Sequence, residues 1–146
     1  MKKLNWDNGI QEFETNGGAV LRFNPSDPAF YNRFLSLIEK IKKVEDNLSR
    51  EDQNVDGKQA IHLLCKYDQM IKAMLSETFG NQNDFELIFS SVNLMALGKN
   101  GKRVIVNFLD AVAPIIDDGA KKNAQATAAE AVERARLNRE KRGTLK

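Results

Sequence analysis

The chain of 146 residues contains one cysteine, one histidine and one tryptophan, and each scarcity excludes a class of protein. A lone thiol, Cys65, cannot build an internal disulfide framework, which suits a reducing compartment. A single histidine, His62, without a cysteine cluster leaves no metal site of the usual ligand number. No stretch approaches the roughly 20 apolar residues that a membrane helix needs. The segment Met1–Asp7 has two lysines and no apolar run, unlike a signal peptide. We therefore expect a soluble cytoplasmic protein with no metal, no cofactor and no membrane partner.

Groups that could carry out catalysis are scarce as well. Cys65 lies three residues from His62 on a predicted helix, but no third group is placed to orient a base, so we expect a half-buried structural cysteine and a surface histidine. The run Gly98–Lys102 lacks the spacing of a phosphate-binding loop and predicts a turn between helices. The adjacent carboxylates Glu51-Asp52 and Asp117-Asp118 would point about 100° apart on a helix, and we expect both in solvated turns. The sequence thus predicts that the protein is not an enzyme.

The net charge of +2 conceals an uneven distribution along the chain. Residues 134–146 hold six basic residues against one acidic residue, a net +5, whereas the rest holds 16 basic and 19 acidic residues, a net −3. Such asymmetry is typical of an interaction tail. We take as candidate partner-binding residues Arg134, Arg136, Arg139, Lys141 and Arg142.

Three kinds of partner remain open for this basic tail. A protein partner is favoured. Nucleic acid would be bound through phosphate neutralisation, but the tail has no aromatic residue to stack on bases, which makes this partner unlikely. A membrane surface is disfavoured because no bulky apolar face accompanies the charge.

Two short segments of alternating polarity, Ile10–Glu14 and Ala19–Phe23, flank the run Thr15–Gly18. Its Asn-Gly pair supplies the positive φ angles of a tight turn, so we predict a β-hairpin over residues 10–23. One face of this hairpin would carry the polar side chains, and the other would carry Phe13, Leu21 and Phe23. A lone hairpin is marginal in water, so this one must pack on helices or gain further strands.

Four segments with apolar residues at spacings of three and four predict helices. They cover about residues 28–48, 58–79, 85–96 and 102–116. Asp27 is a good N-cap residue, and Pro28 suits the first helical position. The polar run Ser49–Gly57 predicts a loop, and Gly80 fits the left-handed residue that follows a helix.

The composition changes near Ile116. Residues 117–146 contain no aromatic residue, many alanines and three larger aliphatic residues, which are Val132, Leu137 and Leu145. Because Asp117-Asp118 would oppose the dipole at a helix end, we predict a break there. The expected organisation is a single compact domain over residues 1–116 and a flexible or helical tail over 117–146. The fold class is mainly α (α+β), with an N-terminal β-hairpin, a compact body of three to four helices and a C-terminal charged helical or disordered tail.

The order of these parts resembles the tail assembly chaperones of long-tailed (siphovirus-type) phages and prophages of Gram-positive bacteria. Four stretches carry the resemblance, which covers roughly residues 10–142. They are Phe23–Phe30, Phe79-Gly80 with Asp84–Phe89, Val106–Pro114, and the charged Ala/Arg-rich end. Ser90 stands where a glycine would complete the "IFG"-like pattern of this family, and Pro114 within the last helix implies a kink or an early end.

The resemblance implies a protein without enzymatic activity that binds and solubilises the tape measure protein during tail morphogenesis and helps to recruit tail tube subunits. It also implies self-association into oligomers, a location in the host bacterial cytoplasm and absence from the mature virion. Met70, Met74 and Met95 would suit adaptable contacts with a client, although for each one of them an ordinary core position is favoured.

Two alternatives come from other functional classes. A small nucleic-acid-binding regulator would use the basic C-terminal tail, and its binding would fall steeply with salt. A structural head–tail connector component would be present in purified particles, where a chaperone is missing.

Overall fold

The computed structural model describes residues 1–51 and 56–144, and its architecture is mainly α with a small N-terminal hairpin, as predicted. The elements in chain order are β1 (Gln11–Glu14), β2 (Val20–Phe23), α1 (Pro28–Glu51), α2 (Gly57–Phe79), α3 (Phe85–Ile88) and α4 (Val104–Thr144). Within the described ranges, no helix is long and apolar enough to cross a membrane. Predictions that involve Asp52, Leu145 or Lys146 lie outside the described residues.

The hairpin has the predicted faces but a different turn. Phe13 pairs with Leu21 across the antiparallel ladder, and the exposed Glu12 carboxylate lies 3.3 Å from Nε of Arg22 on the solvent face. The positive φ belongs to Gly18, at 86°, rather than to the Asn16-Gly17 pair. Thr15 pairs with both Gly18 and Ala19 through main-chain hydrogen bonds, the pattern of a three-residue loop closed by a glycine bulge.

Asn83 holds the outer edge of β2 to the end of α2. Its side-chain Oδ1 accepts from the amide of Arg22 at 2.7 Å, and its Nδ2 donates to the Arg22 carbonyl at 2.9 Å. The same Nδ2 donates to the carbonyl of Phe79 at 3.0 Å. The buried side-chain amide of Asn83 therefore forms the hydrogen bonds that a neighbouring strand would form with β2. It also ties β2 to the end of α2, and an isolated hairpin needs such an attachment to a helix.

All eight phenylalanines of the chain form one connected set of ring contacts at the centre of the body. Phe79, at the end of α2, is the hub. Its ring centroid lies 5.1 Å from those of Phe23 and Phe30 and 5.8 Å from those of Phe85 and Phe108. The hairpin, α1, α2, α3 and α4 therefore all contribute a ring to the same cluster.

The third predicted helix, 85–96, is wrong in its length, because α3 ends at Ile88. Asp84 caps its start by accepting from the amides of Glu86 and Leu87. Ser90 and Ser91 then adopt positive φ angles of 53° and 60°, which a continuing right-handed helix excludes. The chain instead loops to α4, with an isolated bridge between Leu97 and Arg103 around the predicted Gly98–Lys102 turn.

An ion network around the buried Lys72 and Asp68 holds α3 and the loop after it against α2. Lys72 Nζ lies 3.1 Å from Asp68 Oδ2 and 3.0 Å from Glu86 Oε1. The other oxygen of Asp68 accepts from the amide of Leu94 at 2.8 Å. Leu94 and the adjacent Met95 are fully buried as a result, so Met95 is a core residue.

Two predictions about the last helix are wrong. α4 does not end near Ile116, and Asp117-Asp118 lies inside it, where Asp118 pairs with Lys122 at 3.1 Å. Pro114 is exposed, so the Asp110 carbonyl that loses its helical donor is at the solvent side and water can satisfy it. The helix continues because the residues after 116 are good helix formers, and alanine above all.

Beyond Ile116, Gly119 and Asn123 hold α4 to the body. Gly119 is buried against Pro25, and a Cβ atom built there would overlap the Pro25 carbonyl. Asn123 Nδ2 donates to the Ser26 carbonyl at 2.6 Å. The helix therefore stays docked one to two turns beyond the predicted boundary at Ile116 and leaves the body after Asn123.

We expect Asn83→Ala to destabilise the fold by about 2 kcal/mol, because the Arg22 amide and carbonyl would lose their partners in a part-buried position. Chemical denaturation would measure the change. Asn81→Ala, at an exposed position two residues earlier, is the matched control and should change the free energy of unfolding by less than about 0.5 kcal/mol. Equal effects of the two changes would contradict the assigned role of Asn83.

Replacement by alanine should destabilise the protein at Gly119, in the docked part of α4, but not at Gly143, in the undocked part. Gly119→Ala should cost about 1–3 kcal/mol, because its methyl group would push the helix off Pro25. Gly143→Ala meets nothing within 4 Å and should be neutral or raise helicity. Thermal unfolding for the first and circular dichroism for the second would measure these effects. A stabilising Gly119→Ala would show that α4 does not dock there.

Candidate functional site

An apolar groove of about 510 Å³ opens between the hairpin, the segment after α3 and the first half of α4. The apolar side chains that line it are those of Phe13, Leu21, Phe23, Ile88, Phe89, Val104, Phe108, Ala111, Val112 and Ile115. Polar residues at its border are Glu14, Thr15, Asn16 and Asn107. The volume is within the usual range for ligand-binding clefts, and the lining suits apolar groups.

Local backbone features bring the walls of the groove together. Phe89 directly precedes the left-handed residues Ser90 and Ser91, which turn the chain out of α3, and its ring centroid lies 5.1 Å from that of Phe108. Phe108 and Ile115 are seven residues apart on α4 and therefore lie on the same side of the helix. The hairpin closes the opposite wall with Phe13, whose ring stacks on Phe23 at 5.1 Å.

The groove leaves apolar surface accessible. Phe13, Phe89, Phe108 and Ile115 are only half-buried, and Ala111 is exposed, although all five line the cavity. The rings of Phe13, Phe89 and Phe108 pack against other rings of the phenylalanine cluster, which fixes their positions in the wall. The arrangement can bind apolar side chains of another molecule. Its lining contains one carboxylate, Glu14, and no histidine, cysteine or lysine.

The second exposed feature is the arm, which we define as residues 124–143 of α4, and every one of these residues is exposed. The five predicted partner-binding residues lie on it but not on one face. Arg134 and Arg136 are about 200° apart around the helix. Arg136 pairs with Glu133 at 2.7 Å, and Arg134 lies 3.9 Å from Glu130. The positive charge is therefore distributed around the arm and partly neutralised by its own glutamates.

Cys65 and His62 do not form a site. His62 is exposed, as predicted. Cys65 is exposed rather than half-buried, because the buried side of α2 runs through Tyr67, Ile71 and Leu75; Asn93 Nδ2 approaches its Sγ at 3.8 Å. Among residues 1–51 and 56–144 no three histidine, cysteine, aspartate or glutamate side chains are grouped to hold a metal ion.

Sequence reasoning identified the inward side of α4 but not the groove. Phe108 lies in the predicted helix over residues 102–116, and the structure shows that it is half-buried and forms part of the wall. The only sequence signal was the presence of eight phenylalanines in the chain. Which of them stay accessible depends on the turn at Ser90-Ser91, and no local pattern reveals that turn.

Comparison with family models, with curated proteins and with solved structures yields no match to this chain.

We expect Ala111→Arg to close the groove to apolar ligands, because it places a charged side chain among the half-buried rings from an exposed helix position. Binding of the dye 8-anilinonaphthalene-1-sulfonate to the native protein, followed by fluorescence, should fall at least fivefold. Ala124→Arg, on an exposed position of the same helix outside the groove, should leave the dye signal unchanged. An unchanged signal in Ala111→Arg would show that the groove is not the accessible apolar surface.

Proposed function

We propose that this protein is a tail assembly chaperone of a long-tailed phage or prophage, which binds and solubilises the tape measure protein and helps to recruit tail tube subunits. The observation that carries the proposal is the apolar groove, whose half-buried rings face solvent without a catalytic group beside them. A chaperone of this kind needs a surface that covers apolar segments of its client and needs no chemistry.

Binding would follow the helix-in-groove mode. An amphipathic client helix would place apolar side chains against Phe89, Phe108 and Ile115, where each Å² of apolar area removed from water contributes about 25 cal/mol. The wall is already rigid because the phenylalanine cluster holds it, so little conformational entropy is lost on binding. The same contact would hide the client surface that otherwise aggregates.

The backbone at two of the stretches that carry the family resemblance supports this proposal. Gly80, in Phe79-Gly80, has a φ of 105°, which strongly favours glycine. Ser90, where the family pattern has glycine, has a φ of 53°. The chain thus adopts, at both positions, the kind of conformation for which glycine is the usual residue.

The arm supplies the second part of the proposed function. The arm leaves the body after Asn123 and is exposed on all sides through Gly143. Another protein can therefore bind the arm without displacing a client from the groove. We assign it to the recruitment of tube subunits through Arg134, Arg136, Arg139, Lys141 and Arg142. The protein would act in the host cytoplasm and be absent from the mature virion.

Co-expression with the tape measure protein tests the proposal. The full chain should raise the soluble fraction of the tape measure protein and co-purify with it in nuclease-treated lysate. The amount of tape measure protein that co-purifies should fall at least tenfold with Ala111→Arg. With Ala124→Arg it should equal the wild-type amount. A variant that ends at Asn123 keeps the contacts of Gly119 and Asn123 with the loop between β2 and α1. It should retain the tape measure protein and lose the tube protein.

Two results would replace this proposal with an alternative. Salt-sensitive recovery of nucleic acid by the full chain, lost in the variant that ends at Asn123, with no large protein recovered, would identify a nucleic-acid-binding regulator. Detection of the protein in purified, nuclease-treated particles would identify a structural component such as a head–tail connector.

A further inference from the structure

The two outer edges of the hairpin differ in how their backbone groups are paired. On β2 the outward amide and carbonyl of Arg22 are bound by Asn83. Thr15 forms a hydrogen-bonded pair with Ala19. Along an antiparallel ladder, hydrogen-bonded pairs alternate with pairs whose amides and carbonyls point away from the partner strand. In this register, the amides and carbonyls of Glu12 and Glu14 are the groups of β1 that point outward. Among residues 1–51 and 56–144 the structure records no hydrogen bond to the amide or carbonyl of either glutamate. β1 is therefore an open edge.

An open strand edge binds another strand unless the protein prevents it. Glu12 and Glu14 prevent one pairing in particular. If β1 of one copy paired with β1 of another, carboxylates would lie next to carboxylates, which is destabilising. The same carboxylates favour an added strand with basic residues on its solvent face. Glu12 already makes one such cross-strand ion pair, with Arg22 of β2, at 3.3 Å between Oε1 and Nε.

One segment of the chain has the matching pattern. Residues 1–10 are exposed and lie outside helices and strands. Within them Leu4 and Trp6 alternate with Lys3 and Asn5, which is the period of a strand with one apolar and one polar face. Leu4 is 83% exposed and Trp6 is 74% exposed, so both large apolar residues are accessible to another molecule.

The segment is not paired with β1 of its own chain. Asp7 and Asn8 accept from the amides two residues ahead, Gly9 has a φ of 74°, and the Asn8 carbonyl accepts from Asn24 Nδ2 at 2.9 Å. These contacts direct the chain toward the loop after β2. Residues 2–6 therefore remain available to another molecule.

We propose that residues 2–6 of a second copy of this chain add to the open edge of β1 as a third strand. The amides and carbonyls of Glu12 and Glu14 would form the ladder. Leu4 and Trp6 would face the side of Phe13 and extend the apolar wall, and Lys3 would lie beside the two glutamates. This contact borders the groove, whose lining includes Phe13 and Glu14, but it forms between two copies of the chain and requires no client.

Cross-linking between copies tests this contact in the full chain. Cys65→Ser removes the native thiol, and one population then carries Lys3→Cys and the other carries Glu12→Cys or Glu14→Cys. Mixing under mild oxidation should give a mixed disulfide at least tenfold above that of Lys3→Cys with Glu45→Cys, an exposed α1 position. A yield at that background level would overturn the proposal. So would a stronger disulfide between two Glu14→Cys chains, which would indicate pairing of β1 with β1.

A backbone change separates strand addition from a side-chain contact. The Glu14 amide points away from β2, so Glu14→Pro removes a donor for the added strand and no ladder bond of the hairpin. Light scattering should show that the wild type and Glu14→Thr associate and that Glu14→Pro has at least tenfold weaker association, with an unchanged circular dichroism spectrum. Equal association of Glu14→Pro and Glu14→Thr, or a monomeric wild type at 100 μM, would overturn the proposal.

Discussion

The packing around Phe79 is the interaction on which the rest of the structure depends. This ring contacts Phe23 of the hairpin, Phe30 of α1, Phe85 of α3 and Phe108 of α4. Neither the two-stranded hairpin nor the four-residue α3 is stable alone. Both pack rings into this cluster, which adds to the hydrogen bonds of Asn83 and to the Asp84 cap. Truncation of a buried phenylalanine typically costs about 3–5 kcal/mol, a large part of the stability of a domain of this size. The groove depends on the same cluster, because its half-buried rings are supported from behind by the buried ones.

Hydrogen bonds then determine where the apolar elements lie. Asn83 aligns β2 with the end of α2, and Asp68 binds the Leu94 amide and so places the loop before α4. Each is a buried polar group with satisfied partners, so its position is specified more narrowly than apolar packing alone would require. The result is a body in which an apolar groove wall stays accessible, the β2 edge of the hairpin is capped and its β1 edge is open.

Much of the fold could be predicted from local patterns, and the errors have identifiable causes. Strand alternation and the Asp27-Pro28 helix start correctly located the hairpin and α1. The length of α3 was wrong because apolar spacing continues past Ile88, whereas the two left-handed serines end the helix. The break near Ile116 was wrong because a loss of apolar residues marks where a helix leaves the body and not where it ends. The groove could not be predicted, since its walls come from three segments distant in sequence.

The sequence by itself determined the period of each main element, the position of most turns and the separation of charge between body and arm, because these follow from neighbouring residues. Only the tertiary structure decided which phenylalanines remain accessible, which strand edge is capped by Asn83, and that the helix stays docked as far as Asn123. These features depend on contacts such as that of Arg22 with Asn83, 61 residues apart. Such contacts form only when packing of the whole chain brings distant groups together, and no local preference encodes them.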